Sequence, residues 1–395
     1  MSRLVGLTGL RGIAALSILS VHVLAHSSPG ITYRFHLEFL AHGLSLFFVL
    51  SGFLIYLPYS RALLGNRAMP DSRRYANARI RRIIPGYIAI FLISNFVLRT
   101  TYTTNPTPLN TVRSDVGTGM LTDKVDLLLN LTLVNSLLPG WLQTGINPAW
   151  SLTTEFTFYA ALWLCCIGIF GLRERSRIKP VVLAAAPAAL LFAIGMAGKT
   201  LIELSQTNHP NLSPAGAEFG ANWTAVLSRS LLSYADNFSV GMLAAVIFVL
   251  VKSGVVNPTG AVRIRKFATL TAVFALAASF VATAIGFTFM NTLFSIGAAA
   301  LILVMAVPQA LGMSTKLGRI LDVKPLRYYG EISLGIYLWH FPLILLQTRW
   351  GLIFPDNVLG VACNLALTIA TTTAFATATY WLVEKPTRHR KLQPA

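Results

Sequence analysis

The sequence predicts an all-α, polytopic integral membrane protein with about ten transmembrane helices. Apolar residues make up 54% of the 395 residues, and charged residues only 12%, about half the charged share of an ordinary soluble protein. Runs of 18 or more nearly uncharged residues recur from one end of the chain to the other. Each such run is long enough to cross the hydrocarbon core of a bilayer as a helix.

Ten apolar segments are predicted to be spans. The first, residues 4–25, has the position of a signal peptide, but it contains Arg11 and His22 and is followed by further spans, so we expect a retained helix. The apolar segment 127–138 has only 12 residues, so we expect an interfacial or re-entrant piece there. The other nine predicted spans are roughly 39–58, 83–99, 149–170, 181–199, 224–251, 267–286, 292–311, 328–348 and 358–383.

The basic residues predict the orientation of these spans. With ten crossings both termini lie on one side, and 24 of the 32 lysines and arginines fall on that side, against seven on the other. Because positive charge collects on the cytoplasmic side, both termini are predicted to be cytoplasmic. We expect a single transmembrane domain over residues 1–386 and a basic cytoplasmic tail over 387–395.

The net charge of +18 does not indicate a nucleic-acid-binding protein. The basic residues sit in short clusters between apolar runs, and no soluble domain carries them. The expected surroundings are a lipid bilayer, with no nucleic-acid partner. We also expect no metal site, because the seven histidines form no convincing ligand cluster, although His22 and His26, four residues apart, could bind zinc by accident of spacing.

The first span carries Arg11 and His22 on one helical face. They are eleven residues apart, close to three full turns, so they are separated by roughly 16.5 Å along the helix axis. A charge within a span costs at least ~2.5 kcal/mol, so each needs a reason to be there. Either Arg11 extends to the cytoplasmic headgroups and His22 lies at the outer interface, or both have a functional role. The spacing alone leaves both interpretations open.

Arg79 and Arg82 are three residues apart at the cytoplasmic start of the third span, and so share a helix face. Guanidinium groups bind phosphates bidentately, so this pair predicts a phosphate site at the inner face of the membrane. The positive-inside bias explains the number of basic residues here equally well, so this alternative also stays open.

The fourth and ninth spans each place three polar residues on one helix face, and some of the acidic side chains within the spans are costly to bury. Glu155 lies about one and a half turns inside the outer boundary, which is costly unless its carboxylate is paired or faces a wet cavity. Asp236 in the sixth span is also costly, and we assign it no role. The two faces contain Ser151, Glu155 and Tyr159 in the fourth span, and Ser333, Tyr337 and His340 in the ninth.

Together these residues resemble the acyltransferase-3 family of integral membrane O-acyltransferases, over nearly the full length of the chain. Arg11 and His22 fit the family's Arg-x10-His signature, and Arg79 with Arg82 resembles its Arg-x-x-Arg element. Segment 47–54, which contains Ser51, fits the second-span motif of the family. Segments 148–155, 332–340 and 383–386 match further motifs in the same order.

The resemblance implies an enzyme that moves an acyl group from acyl-CoA to a hydroxyl, usually on a sugar of an envelope glycan, a glycolipid or a glycosylated metabolite. Acyl-CoA would be a co-substrate, with no permanently bound cofactor, in a bacterial plasma membrane. Arg79 and Arg82, helped by Arg81 and Arg11, would hold the CoA phosphates. The pantetheine arm of the donor would run along the helix face from Arg11 to His22.

The catalytic residues implied are His22, Arg11 and Glu155. His22 would be the general base, since histidine is the side chain most easily poised for this task near neutral pH. Glu155 would orient His22 or hold the acceptor. The substrate-binding candidates are Arg79, Arg82, Arg81, Ser51, Ser151, Tyr159, Ser333, Tyr337 and His340.

A secondary transporter or flippase of envelope lipids is the alternative from another class. Transporters commonly contain inverted repeats, and the two halves of this sequence do not match. A non-catalytic scaffold would give Arg11, His22 and Glu155 no reason to bear their insertion cost. Whether His22 acts as a base or becomes acylated itself stays open. Some members of the family carry a fused extracytoplasmic domain, and since the sequence ends eleven residues after Glu384, we expect none here.

Overall fold

The computed structural model describes residues 4–106, 111–175, 177–208 and 214–389. This part of the chain is almost entirely helical, and its sheet is one antiparallel pair, β1 (Thr101–Tyr102) and β2 (Thr118–Gly119). Short 3-10 turns occupy Leu37–His42, Asn135–Leu137 and Asn147–Ala149. The helices are α1 (Leu7–Ser27), α2 (Pro29–Arg34), α3 (Gly43–Leu64), α4 (Ser72–Leu92), α5 (Lys124–Leu131), α6 (Trp150–Arg175), α7 (Pro180–Asn208), α8 (Pro214–Phe219), α9 (Trp223–Ser228), α10 (Leu231–Lys252), α11 (Pro258–Ala284), α12 (Met290–Ala310), α13 (Lys316–Leu321), α14 (Lys324–Glu331), α15 (Ser333–Arg349), α16 (Val358–Thr379) and α17 (Lys385–His389), with π-helical turns after α4 (Ile93–Leu98) and after α16 (Tyr380–Glu384).

The predicted all-α membrane fold is confirmed. In the described ranges, nine helical segments are long and apolar enough to cross a membrane, and a tenth crossing arises if α14 and α15, which meet at 73°, form one broken span. The segment 127–138 forms most of α5 and a 3-10 turn, and the eight residues of α5 are too few to cross. The cytoplasmic position of both termini stays a prediction. Residues 390–395 of the predicted tail lie outside the described residues.

The third crossing begins earlier than predicted. α4 starts at Ser72 rather than near residue 83, because the Asp71 side chain accepts hydrogen bonds from the backbone N–H groups of Arg73 and Arg74 and so caps the helix. Arg79 and Arg82 therefore lie about two to three turns inside a helix, not at its beginning.

Two glycines bring α3 and α10 close together. A Cβ atom on Gly52 would lie 2.1 Å from the carbonyl oxygen of Phe238. On the facing helix, a Cβ atom on Gly241 would lie 2.1 Å from the carbonyl oxygen of Val49. In a membrane the lipid is as apolar as the helix surfaces, so no hydrophobic force drives helices together. Small residues such as glycine let two helices approach closely and gain van der Waals contact instead. The contact fixes α3, which carries Ser51, against α10.

A buried ion pair joins α10 to two further helices, α7 and α12, and gives Asp236 a structural role that the sequence did not reveal. Lys199 on α7 donates to Asp236 Oδ2 on α10 at 2.5 Å, and their side chains are 4% and 0% exposed. Thr292 on α12 accepts from Lys199 at 2.9 Å and donates to the same carboxylate oxygen at 2.6 Å. The charges of Asp236 and Lys199 thus neutralise each other, which offsets the cost of holding either charge inside the bundle.

We predict that Gly241→Ala destabilises the protein by about 1–3 kcal/mol, because the new methyl group would overlap the Val49 carbonyl and force the two helices apart. Thermal unfolding in detergent micelles measures the effect. Gly168→Ala on α6 is the matched control, since a Cβ atom there meets nothing within 4 Å. Equal melting temperatures for the two variants would contradict close packing at Gly241.

We also predict that Lys199→Met costs about 3–5 kcal/mol, because it leaves the Asp236 carboxylate buried without its cation. The double variant Lys199→Met/Asp236→Asn should recover most of this loss in the same unfolding assay. Lys252→Met, at the exposed end of α10, controls for removal of a lysine. A double variant less stable than Lys199→Met would argue against the pairing.

Candidate active site

A cavity lies between α1, α3, α4, α6 and α15. Inside it, the space open to the centre of a water-sized molecule is about 80 Å³. Its apolar wall consists of Leu44, Phe47, Phe48, Leu50, Leu54, Ile83, Leu152 and Leu334. Its polar wall consists of Arg11, Ser51, Arg79, Arg82, Ser151, Glu155, Tyr159, Ser333 and Tyr337. Five separate helices therefore bring together all the predicted site residues except His22, His340 and Arg81.

The helix faces predicted from spacing agree with this lining. Arg79 and Arg82 both face the cavity, whereas Arg81 does not line it. Ser151, Glu155 and Tyr159 also share one wall, as residues four apart on a helix do. The apolar part of the wall was missed by the sequence analysis, although segment 47–54 of the second-span motif supplies four of its residues.

Glu155 is held by hydroxyl groups inside the cavity. Ser51 Oγ donates to Glu155 Oε1 at 2.9 Å, and the Tyr159 hydroxyl donates to the same oxygen. We expected Glu155 near the outer boundary, where it would orient His22 or hold the acceptor. Its hydrogen-bond partners in the structure are Ser51 and Tyr159, and both expected roles stay predictions.

The cavity carries an excess of positive charge. Three guanidinium groups line it, those of Arg11, Arg79 and Arg82, against the carboxylate of Glu155. Arg79 also lies over the ring of Tyr75, with 5.4 Å between its Cζ atom and the ring centre. The wall therefore favours an anionic ligand, and the apolar surroundings strengthen that preference by lowering the local dielectric.

The Arg11 side chain lines the cavity. Its Nη2 atom donates to Ser333 Oγ on α15 at 3.0 Å. Ser333 opens the same helix face that carries Tyr337, whose hydroxyl donates to the Pro148 carbonyl at 2.8 Å and lies 2.7 Å from Ser151 Oγ. These contacts tie α15 to α1 and to the start of α6.

His22 lies farther along α1, beyond the part that lines the cavity, and its partner is His340. Nδ1 of His22 lies 2.8 Å from Nε2 of His340. His340 is fully buried, and its Nδ1 lies 3.1 Å from the Ile336 carbonyl oxygen. Because Arg11 and His22 both contact α15, the predicted common face of these two residues is confirmed.

The segment that follows α4 covers the end of α1 near His22. The backbone N–H of Arg113 donates to the His26 carbonyl at 2.8 Å, and its guanidinium donates to the Ser27 carbonyl at 2.7 Å. Tyr102 on β1 packs against Phe341, whose ring meets that of His22 edge-on at 5.5 Å between centres. His22 thus stands between the cavity and this covering segment.

The two histidines whose spacing could suit zinc have separate partners. His22 contacts His340, whereas His26 Nε2 lies 2.7 Å from Thr348 Oγ1. Among the described residues, no three His, Cys, Asp or Glu side chains are grouped so that they could hold one metal ion.

Comparison with known proteins places the chain in context. The acyltransferase domain family matches residues 4–381. The putative peptidoglycan O-acetyltransferase YrhL of Bacillus subtilis is 27% identical, over 97% of this chain and 54% of the relative. The peptidoglycan O-acetyltransferase OatA of Listeria monocytogenes is 25% identical, over 96% of this chain and 55% of the relative.

A third relative matches a shorter stretch. The acyltransferase MdmB of Streptomyces mycarofaciens is 30% identical, over 42% of this chain and 44% of the relative. The chain spans about half the length of the first two curated relatives. No solved structure matches it at a significant level.

Proposed function

Because the chain belongs to the acyltransferase-3 family of membrane acyltransferases, we propose that it moves an acyl group from cytosolic acyl-CoA to a hydroxyl of a sugar-containing acceptor. The observation that carries this proposal is the cavity in which Arg11, Arg79 and Arg82 converge beside Glu155. Its charge suits an anionic donor, and its family context supplies the reaction type.

The donor would be held by the arginines. The phosphate groups of CoA are anionic, and guanidinium groups bind such oxygens through paired hydrogen bonds. Arg79 and Arg82 come from α4 and Arg11 comes from α1, so they approach a ligand from two sides of the cavity. The apolar wall would accept the less polar pantetheine arm, which would extend along α1 toward His22.

His22 would act as the general base. It would take the proton of the acceptor hydroxyl while the oxygen attacks the thioester carbonyl, which forms a tetrahedral oxyanion. Collapse of this intermediate would break the carbon–sulfur bond, and the leaving CoA thiolate would take the proton from His22. In the covalent alternative His22 attacks the thioester carbonyl first and expels the CoA thiolate, which takes the proton released by the imidazole. The acceptor hydroxyl then attacks the acyl-imidazole, and its proton returns to His22 as the carbon–nitrogen bond breaks.

The acceptor would be an envelope glycan, a glycolipid or a glycosylated metabolite. Two relatives that align with nearly the whole chain carry peptidoglycan in their names, which favours an envelope glycan. The protein would then lie in a bacterial plasma membrane as a multi-pass enzyme. Release of free CoA thiol by protein reconstituted with acyl-CoA and acceptor would separate this function from that of a transporter or flippase.

We predict that Arg79→Ala and Arg82→Ala each raise the KM for acyl-CoA about tenfold or more, because each removes charged hydrogen bonds worth ~1.5–3 kcal/mol. Thiol release at varied acyl-CoA concentration measures this. Arg74→Ala is the control, since Arg74 lies on the same helix but does not line the cavity. If the double variant Arg79→Ala/Arg82→Ala keeps the wild-type KM, the positive-inside bias is the better explanation of this pair.

We predict that His22→Ala lowers kcat by at least about 10²-fold, the usual range of general-base catalysis being 10²–10⁴, while acyl-CoA binding persists. The wild-type rate should rise with pH as His22 loses its proton. His26→Gln, one turn later on α1, controls for loss of a buried histidine. An undiminished kcat in a folded His22→Ala protein would refute the catalytic role, and an acyl-imidazole trapped by rapid quench would show the covalent route instead.

A further inference from the structure

The rings of His22 and His340 lie in one plane and share a linear hydrogen bond. Their planes differ by only 7°, and their centres are 5.0 Å apart. An imidazole nitrogen lies roughly 1.1 Å from its ring centre, since the ring is a pentagon of bonds of about 1.33 Å. The 2.8 Å contact between nitrogens and the two ring radii therefore account for the whole distance between centres. The rings meet edge to edge in one plane, not face to face.

The backbone decides which nitrogen of His340 holds the proton. Nδ1 of His340 faces the carbonyl oxygen of Ile336, which can only accept, so Nδ1 must donate. Both ring nitrogens of His340 have neutral partners, and the ring is fully buried, so it is a neutral imidazole with one proton. Nε2 of His340 is therefore unprotonated and accepts.

The same argument then fixes the proton of His22. Its Nδ1 faces an acceptor, Nε2 of His340, so Nδ1 of His22 carries a proton and donates. In neutral His22 the second nitrogen, Nε2, keeps its lone pair. Within the described part of the chain, the hydrogen bond of the His22 ring is the one to His340 through Nδ1, and it leaves Nε2 available. The basic atom of His22 is thus the one left open to a ligand.

We propose that His340 is a positioning residue that holds His22 in the tautomer with the proton on Nδ1, so that Nε2 faces the acceptor hydroxyl as the base. The inference rests on the proposed function, in which His22 takes this proton. When Nε2 of His22 takes the acceptor's proton, the Nδ1 proton stays on His22. The resulting positive charge on His22 is stabilised by the lone pair of His340 Nε2, while Nδ1 of His340 donates to the Ile336 carbonyl oxygen. No proton needs to pass to His340.

The surroundings of His340 hold its ring in this orientation. Tyr337 and Phe341 flank it at 6.0 and 6.2 Å between ring centres. Tyr337 is itself fixed by its hydrogen bond to the Pro148 carbonyl, and it lines the cavity that also contains Arg11. The orientation of His22 is therefore set by α15, the same helix that receives Arg11 through Ser333.

The first test measures the tautomer directly in the wild-type protein. ¹⁵N NMR of histidine-labelled protein in lipid nanodiscs, with His22 assigned by its loss in His22→Gln, distinguishes protonated from unprotonated ring nitrogens. We expect neutral His22 to carry its proton on Nδ1. A proton on Nε2 overturns the proposal, and this result needs no variant of His340 to fold.

The second test compares His340→Leu with His340→Gln. Leucine removes the acceptor, so kcat should fall by about 10²–10⁴, the usual contribution of general-base catalysis. Loss of the carboxylate that fixes the histidine tautomer in a serine-protease triad costs about 10⁴ in kcat. Glutamine places an amide oxygen near the position of Nε2 and should restore kcat to within about tenfold of wild type. The KM for acyl-CoA should stay unchanged in both variants, and the His22 proton should leave Nδ1 only in His340→Leu.

The control is His42→Leu, which removes another buried histidine, bonded to Asn291 and Thr283, outside the cavity. Its kcat per folded molecule should stay at the wild-type value. An active His340→Leu beside an inactive His22→Ala would overturn the positioning role alone. An active His22→Ala would instead overturn the proposed function, whatever tautomer the NMR spectrum shows.

Discussion

Arg11, Arg79, Arg82 and Glu155 lie within a bundle of membrane helices, where each unpaired charge costs several kcal/mol. The structure meets this cost by gathering them around one cavity. The carboxylate accepts hydroxyl hydrogen bonds from Ser51 and Tyr159, and the arginines remain in excess. Three guanidinium groups and one carboxylate thus line the cavity, and this balance of charge suits an anionic ligand.

The cost of an unpaired charge inside the bundle also explains the contacts in the part of the bundle that does not line the cavity. Lys199, Asp236 and Thr292 tie α7, α10 and α12 together through one buried ion pair with a hydroxyl between its partners. The reciprocal glycine contact then presses α10 against α3. A rigid support of this kind keeps Ser51 and the cavity wall in place, as a preorganised site requires.

The proposed anion-binding residue and the proposed general base lie at two different places along α1. Arg11 belongs to the charged cavity, whereas His22 lies about three turns farther on, in contact with a neutral histidine. The separation suits a long donor that is held by its anionic end and reacts at the other. Because α15 contacts both residues, one helix aligns the binding part and the reacting part of the proposed site.

The sequence by itself determined the spans and the helix faces, because both depend on local periodicity. The common face of Arg11 and His22, the pair Arg79 and Arg82, and the row Ser151, Glu155 and Tyr159 all follow from 3.6 residues per turn. The position of Arg79 about two turns inside α4 could not be predicted from this periodicity, because the Asp71 cap starts α4 about three turns before its apolar run. Only the tertiary structure decided that Glu155 joins the arginines and that His22 meets His340. Helices in a bilayer are not sorted by a hydrophobic force, so their neighbours depend on small-residue contacts and buried polar pairs between segments far apart in the chain.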